Sequence, residues 1–254
     1  MRRIRILGGP TEARRLAQRL APRADLAVTL SLAGRTGSPA AQAVPVRIGG
    51  FGGVQGLADY LARERIDALI DATHPYAAHI SANAARAAEL AEVPVLAMRR
   101  PPWIAVPGDR WSEVADVEGA VRALGSAPRR VFVALGRNEL HPLASAPQHY
   151  YLVRSIDPVD PPLAVPFANY INARGAFDEA DERALLIEHR IEIILAKNSG
   201  GSATYAKIAA ARVLGLPVIL LRRPRLPNVP AVETVDAVLG WLDHALTVSV
   251  SRGA

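Results

Sequence analysis

Short apolar runs alternate with longer stretches of helical period along this chain. Arg3-Ile-Arg-Ile-Leu7 predicts a strand that ends in Gly8-Gly9, and from Glu12 to Leu20 the apolar positions Ala13, Leu16, Ala17 and Leu20 fall on one helical face. Leu26 to Leu32 and Val44 to Ile48 predict two more strands, Val54 to Glu64 a helix, and Ala68 to Ile70 a buried strand closed by Asp71. A helix is expected from about Pro75, a residue suited to the first helical position, to Ala91; Val93 to Ala97 then returns as a strand.

After Arg99-Arg-Pro-Pro-Trp103 and a Pro107-Gly108 turn, the pattern resumes. Strands are expected at 130–135, 169–173, 191–196 and 217–221, with helices at 178–189, 203–214 and about 235–246. The two halves share a plan of strand, Gly-Gly loop and helix. Repeated βα units imply parallel sheets with ligands at the carboxyl ends of the strands. The expected fold is α/β, with two Rossmann-like lobes whose parallel sheets face each other across a cleft. The lobes are expected at 1–100 and 101–254, with the last helix open to either.

Composition narrows the chemistry. The 254 residues are 50% hydrophobic and contain no cysteine, which removes disulfides, thiolate metal sites and a cysteine nucleophile. No metal site is expected. The run Ile4 to Leu7 is too short for a signal peptide, and no stretch approaches the roughly 20 apolar residues of a membrane span, so a cytoplasmic protein without membrane contact is expected. The net charge of +6 invites a nucleic-acid reading, but the basic residues are interleaved with acids and only 5% of residues are aromatic. A basic pocket for an acidic small molecule fits better. Of 30 basic residues only Lys197 and Lys207 are lysines, and they share one short stretch.

Candidate chemistry gathers at strand ends. Gly8-Gly9 turning into a helix presents backbone N–H groups and the positive helix end to a phosphate, with Thr11 and Glu12 in the first turn and Pro10 lacking a donor. The alternative is a tight turn alone, and the spacing is not G-x-G-x-x-G. The second strand ends in Ser31-Leu-Ala-Gly34-Arg35-Thr36, without a carboxylate to accept from a ribose 2′-hydroxyl. Ser31, Arg35 and Thr36 suit a 2′-phosphate, which favours NADP over NAD. Gly49-Gly-Phe-Gly-Gly53 reads as a flexible turn beside the ligand. Thr73, His74 and Tyr76 follow a buried strand, and Tyr76, His79 and Asn83 are expected on one helical face. Lys197-Asn198-Ser199-Gly200-Gly201, with Thr204 and Lys207 beyond, is an anion-friendly loop without the Walker A pattern.

In this order and spacing, Leu7-Gly-Gly-Pro-Thr-Glu-Ala13, Ser31-Leu-Ala-Gly-Arg-Thr36, Asp71-Ala-Thr-His-Pro-Tyr-Ala77, Arg174-Gly-Ala-Phe177, Lys197-Asn-Ser-Gly-Gly201 and Arg223-Pro224 resemble the precorrin-6A reductase family of cobalamin biosynthesis. Pro10 departs from that family's usual threonine. The resemblance implies NADPH-dependent reduction of one C=C bond of a polycarboxylate corrin precursor. Gly8, Gly9, Thr11, Glu12, Ser31, Gly34, Arg35, Thr36, Thr73, Asn198, Ser199, Gly200 and Thr204 are then expected at the cofactor. Tyr76, His79, Lys197 and Lys207 are expected at the substrate, with His74 and Tyr76 as candidate proton donors. A cobalt-containing substrate with NADH, a non-catalytic NADP sensor and a nucleotide or phosphate transferase are the competing readings.

Overall fold

The computed structural model describes residues 1–34 and 40–248. The chain forms two units, residues 1–101 joined by 224–254, and residues 102–223. Each holds one six-stranded sheet in which all pairings are parallel.

The first unit opens with β1 (Arg2–Leu7), α1 (Thr11–Leu20), β2 (Leu26–Leu32), β3 (Val46–Ile48), α2 (Gly53–Arg63), β4 (Ala68–Asp71), α3 (Ala78–Leu90) and β5 (Val95–Met98). Alternation along β1 assigns its faces. Ile4 and Ile6 pack with Leu16, Leu20, Leu30 and Ile70 on the α1 side, whereas Leu7 joins Leu57, Leu61 and Leu69 on the α2 and α3 side. Parallel register places Leu7 opposite Asp71 on β4 and Ser31 on β2, and Ser31 opposite Arg47 on β3. These four side chains therefore form a row across the carboxyl edge of the sheet.

The second unit contains β6 (Arg110–Val114), α4 (Val117–Leu124), β7 (Arg130–Ala134), two short 3-10 turns, β8 (Tyr150–Ser155), β9 (Ala168–Asn172), α5 (Glu179–Glu188), β10 (Ile193–Lys197), α6 (Ala206–Val213) and β11 (Pro217–Leu221). The chain then returns to the first unit as β12 (Ala231–Val232) and α7 (Val235–Val248).

The sheet orders, β12-β5-β4-β1-β2-β3 and β6-β11-β10-β7-β8-β9, are the same arrangement twice. The sixth strand of the first sheet comes from beyond the second unit, whereas that of the second sheet is the first strand of its own segment. The segment after β5 supplies β6 to β11, and the segment after β11 supplies β12 to β5. Sequence marks both departures, since Val95-Leu-Ala-Met-Arg-Arg-Pro101 recurs as Val218-Ile-Leu-Leu-Arg-Arg-Pro224.

Several boundaries differ from the sequence reading. Residues from 224 onward belong to the first unit rather than to a continuous 101–254 lobe, because β12 pairs with β5 and Val238 and Leu242 are buried with Ile4 and Leu96. Helix α3 begins at Ala78, not near Pro75, because Ala77 N–H is taken by the His74 carbonyl and Tyr76 N–H by His74 Nδ1. Helix α6 begins at Ala206 rather than 203. The buried positions of α5 are Glu182 and Leu186, while Ile187 is exposed.

Candidate active site

The β1–α1 turn is built around two glycines with different duties. A Cβ on Gly8 would lie 2.5 Å from Leu30 Cδ1 and 3.0 Å from Ala13 Cβ, so this residue allows the turn to pack onto the sheet. Gly9 adopts φ +151 with open space around it. Pro10 occupies the N-cap position and makes no side-chain cap bond. Thr11 is the first helical residue rather than the cap, and the N–H groups of the first turn point out of the helix start, as helix geometry requires. A phosphate fits this cradle: there is no side chain at Gly8 or Gly9 to exclude it, and the helix end is positive. Glu12 stands beside the cradle, but its carboxylate is paired with Arg100 at 2.7 Å, which removes the charge that would repel an anion.

A small pocket opens next to this turn, lined by Pro10, Glu12, Thr73, His74, Pro75 and Arg100 among others. Asp71, buried at the end of β4, accepts from Thr73 N–H at 3.2 Å and from Thr73 Oγ1 at 2.7 Å, which holds the loop toward the carboxyl edge. Ser81 Oγ lies 3.3 Å from the same threonine hydroxyl. His74 Nδ1 accepts the Tyr76 N–H at 3.3 Å, a tautomer that leaves its proton on Nε2, and the two rings are 5.6 Å apart. His74 and Thr73 thus line the pocket together. His79 is exposed on the first turn of α3 and is not among the pocket-lining residues.

At the end of β2, Ser31 is buried and its Oγ accepts from Arg5 Nη1 at 3.3 Å. Gly34 follows at φ +74, 3.5 Å by its would-be Cβ from Ile48 Cγ2, so the β2 and β3 ends are neighbours. Arg35 and Thr36 lie outside the described residues. Arg47, which the sequence reading passed over, donates to the carbonyls of Gly49 and Gly50 at 2.6 and 2.9 Å and stacks 3.8 Å from the Phe51 ring, clamping the glycine-rich turn. Arg5 was legible as a charge inside an apolar strand, and Arg99 and Arg100 as a pair just past another.

In the second unit, Lys197 ends β10 and is paired with Glu139, whose carboxylate also accepts from Gly136 N–H at 3.0 Å. Asn198 was expected at the cofactor, but its buried amide is committed to the backbone of Trp103, accepting from N–H at 2.8 Å and donating to the carbonyl at 3.0 Å. Arg223 donates to the carbonyls of Asn198 and Ser199 at 2.8 and 2.9 Å, and Gly200 and Gly201 adopt φ +68 and +71. Lys207 was expected to meet substrate. It is instead only 4% exposed, donating to the Thr204 carbonyl with its ammonium 5.0 Å from the centre of the Trp103 ring. Lys207 and Asn198 brace the loop, in which Lys197 and Ser199 are half-buried and Gly200 is buried. Among the described residues no cluster of His, Asp and Glu is arranged to hold a metal ion.

Two parallel sheets in the strand order of dinucleotide-binding folds, the first with a glycine turn leading straight into a helix, place the chain in the Rossmann-like α/β class. Residues 3–243 match the family model described as precorrin-6x reductase CbiJ/CobK, and the chain belongs to that family. A precorrin-6A reductase from Sinorhizobium sp is 54% identical over 96% of this chain and 94% of its own. The solved structure of a CobK precorrin-6A reductase superposes with a TM-score of 0.93 at 49% identity, covering 96% of this chain and 97% of that one. A cobalt-precorrin-6A reductase from Priestia megaterium is 26% identical over 96% of this chain and 97% of its own.

Proposed function

We propose that this chain reduces precorrin-6A with NADPH bound at the carboxyl edge of the first unit's sheet. Reduction of precorrin-6A in cobalamin biosynthesis is the activity of the family to which the chain belongs, and as an oxidoreductase it uses a nicotinamide cofactor. The observation that carries the placement is the β1–α1 turn, where Gly8, Gly9 and the open first turn of α1 offer backbone donors and no obstruction to a pyrophosphate. Preference for the phosphorylated cofactor is supported by the end of β2, which offers Ser31 and no carboxylate from Leu26 to Thr36. The absence of a long apolar helix among the described residues accords with work in the cytoplasm on a small molecule.

When bound, NADPH would supply the hydride. The chain's own residues would hold the cofactor, keep Glu12 neutralised by Arg100, and offer His74, which lines the pocket, as proton donor to the adjacent carbon, with Tyr76, whose ring centre is 5.6 Å from that of His74, as the second candidate.

The test is loss of reduced-nicotinamide absorbance when purified protein meets precorrin-6A, run with NADPH and with NADH, and with metal-free and cobalt-loaded substrate. Oxidation favouring NADPH and the metal-free substrate is expected. Thermal stabilisation by NADPH without oxidation would instead make the protein a sensor. His74→Ala is expected to slow turnover by about 10²-fold or more with unchanged cofactor affinity; unaltered turnover removes His74 from proton delivery.

A further inference from the structure

One of the two central residues of β1 breaks the rule for a strand buried on both faces, where aliphatic residues are the norm. Arg5 is only 5% exposed, flanked in sequence by Ile4 and Ile6. Its Nη1 donates to Ser31 Oγ at 3.3 Å, its guanidinium carbon stands 4.7 Å from the centre of the Tyr60 ring, and its Nε has no hydrogen-bond partner. None of the ion pairs among the described residues includes it. A second guanidinium, that of Arg47, lies 5.5 Å from the same ring. Burial, and after it the charge of Arg47, push the Arg5 guanidinium down to about 10, and the carboxylate of Glu64 opposes this only in third place.

A buried cation with a cationic neighbour and no paired carboxylate is costly to the free protein. Its one side-chain acceptor, the Ser31 hydroxyl, keeps its own proton to donate onward. Ser31 stands between Leu7 and Arg47 in the row at the carboxyl edge, which in a sheet of this order is where the adenosine ribose of a dinucleotide sits. An anion received by Ser31 would meet the charge that the fold leaves unbalanced.

We propose that Arg5, acting through Ser31 and supported by Arg47, is the positioning residue that selects a phosphorylated ribose, its charge being balanced when a 2′-phosphate binds at the end of β2. This rests on the reading that the first unit binds NADPH. The rival role, a brace that pins β1 to Tyr60 on α2, predicts the opposite sign for the stability of the free protein.

The experiment is calorimetric titration of the intact protein with 2′,5′-ADP and with 5′-AMP, together with the melting temperature of the ligand-free protein, for wild type, Arg5→Met, Arg5→Lys and Ser31→Ala. Wild type is expected to favour 2′,5′-ADP. Arg5→Met is expected to lower that preference about tenfold or more while leaving 5′-AMP binding within about twofold, and to raise the melting temperature of the free protein. Arg5→Lys keeps the charge and most of the preference. No preference in wild type overturns the NADPH reading and this inference with it. A wild-type preference that survives in Arg5→Met overturns the inference alone, as does a fall in melting temperature with equal loss of both ligands. Ser31→Ala breaks the relay without touching the buried chain, so a full preference in that variant overturns the proposal even if Arg5→Met does not fold.

Discussion

Gly8 and Gly9 sit side by side and would respond differently to the same methyl group. At Gly8 the obstacle is packing, since Leu30 Cδ1 lies 2.5 Å from where a Cβ would be, while at Gly9 it is the backbone, held at φ +151 in open space. Gly8→Ala is therefore expected to destabilise the first unit by about 1–3 kcal/mol by overpacking. It is also expected to weaken NADPH binding by shifting the turn off the sheet. Thermal melts with and without NADPH check both effects, and an unchanged melting temperature would show that Leu30 moves aside freely. The same scale explains what a linear reading of Lys207 and Asn198 missed. Both have the chemistry of anion ligands, but Trp103, distant in sequence, occupies one with its ring and the other with its backbone. Side-chain type was legible; the partner that consumes it was not.

Strand β8 shows how a charge can belong to a core at the scale of elements. Arg154 and Glu182 have side chains 7% and 3% exposed and are paired through both guanidinium Nη atoms, with Arg154 also lying 4.8 Å from the Phe132 ring and 3.8 Å from that of Phe177. The pair ties β8 to α5 and to the Arg174–Phe177 loop. Glu182→Ala leaves a buried guanidinium without its counter-charge and is expected to cost about 3–5 kcal/mol, read from denaturant unfolding. A cost below 1 kcal/mol would mean that water reaches Arg154. Hydropathy carries β8 in Tyr150-Tyr-Leu-Val153, which the sequence reading passed over; Arg154 follows that run, and its partner on α5 looks in sequence like one more surface charge. Strand β6, by contrast, was hidden. It is a mostly exposed edge strand, Arg110-Trp-Ser-Glu-Val114, whose membership is decided by pairing with β11 and not by its own pattern. The interior strands β1, β4, β10 and β11 carried strong apolar runs and were readable directly.

The whole molecule divides unevenly along its sequence. Residues 102–223 contain every strand of their own sheet, whereas residues 1–101 lack β12 and α7 and with them Val238 and Leu242, both fully buried in the core. The isolated 102–223 fragment is expected to unfold in one cooperative transition. The 1–101 fragment is expected to be markedly less stable and to regain stability when 224–254 is fused to it through a short linker. Equal stability of the 1–101 fragment with and without that segment, followed by circular dichroism on heating, would show that the sixth strand and closing helix contribute little.

The recurrence of Arg-Arg-Pro after β5 and β11 marks the two points where the chain changes units, and this fixes an order in time as well as in space. A ribosome makes the β1–α1 turn first, yet the sheet that supports it gains its sixth strand only with β12, and the core beneath it its closing helix only with α7. The second unit has all its strands by Leu221, before β12 is made. The unit begun first is thus completed last, and its β1–α1 turn acquires the finished sheet and core beneath it only after the second unit has all its strands.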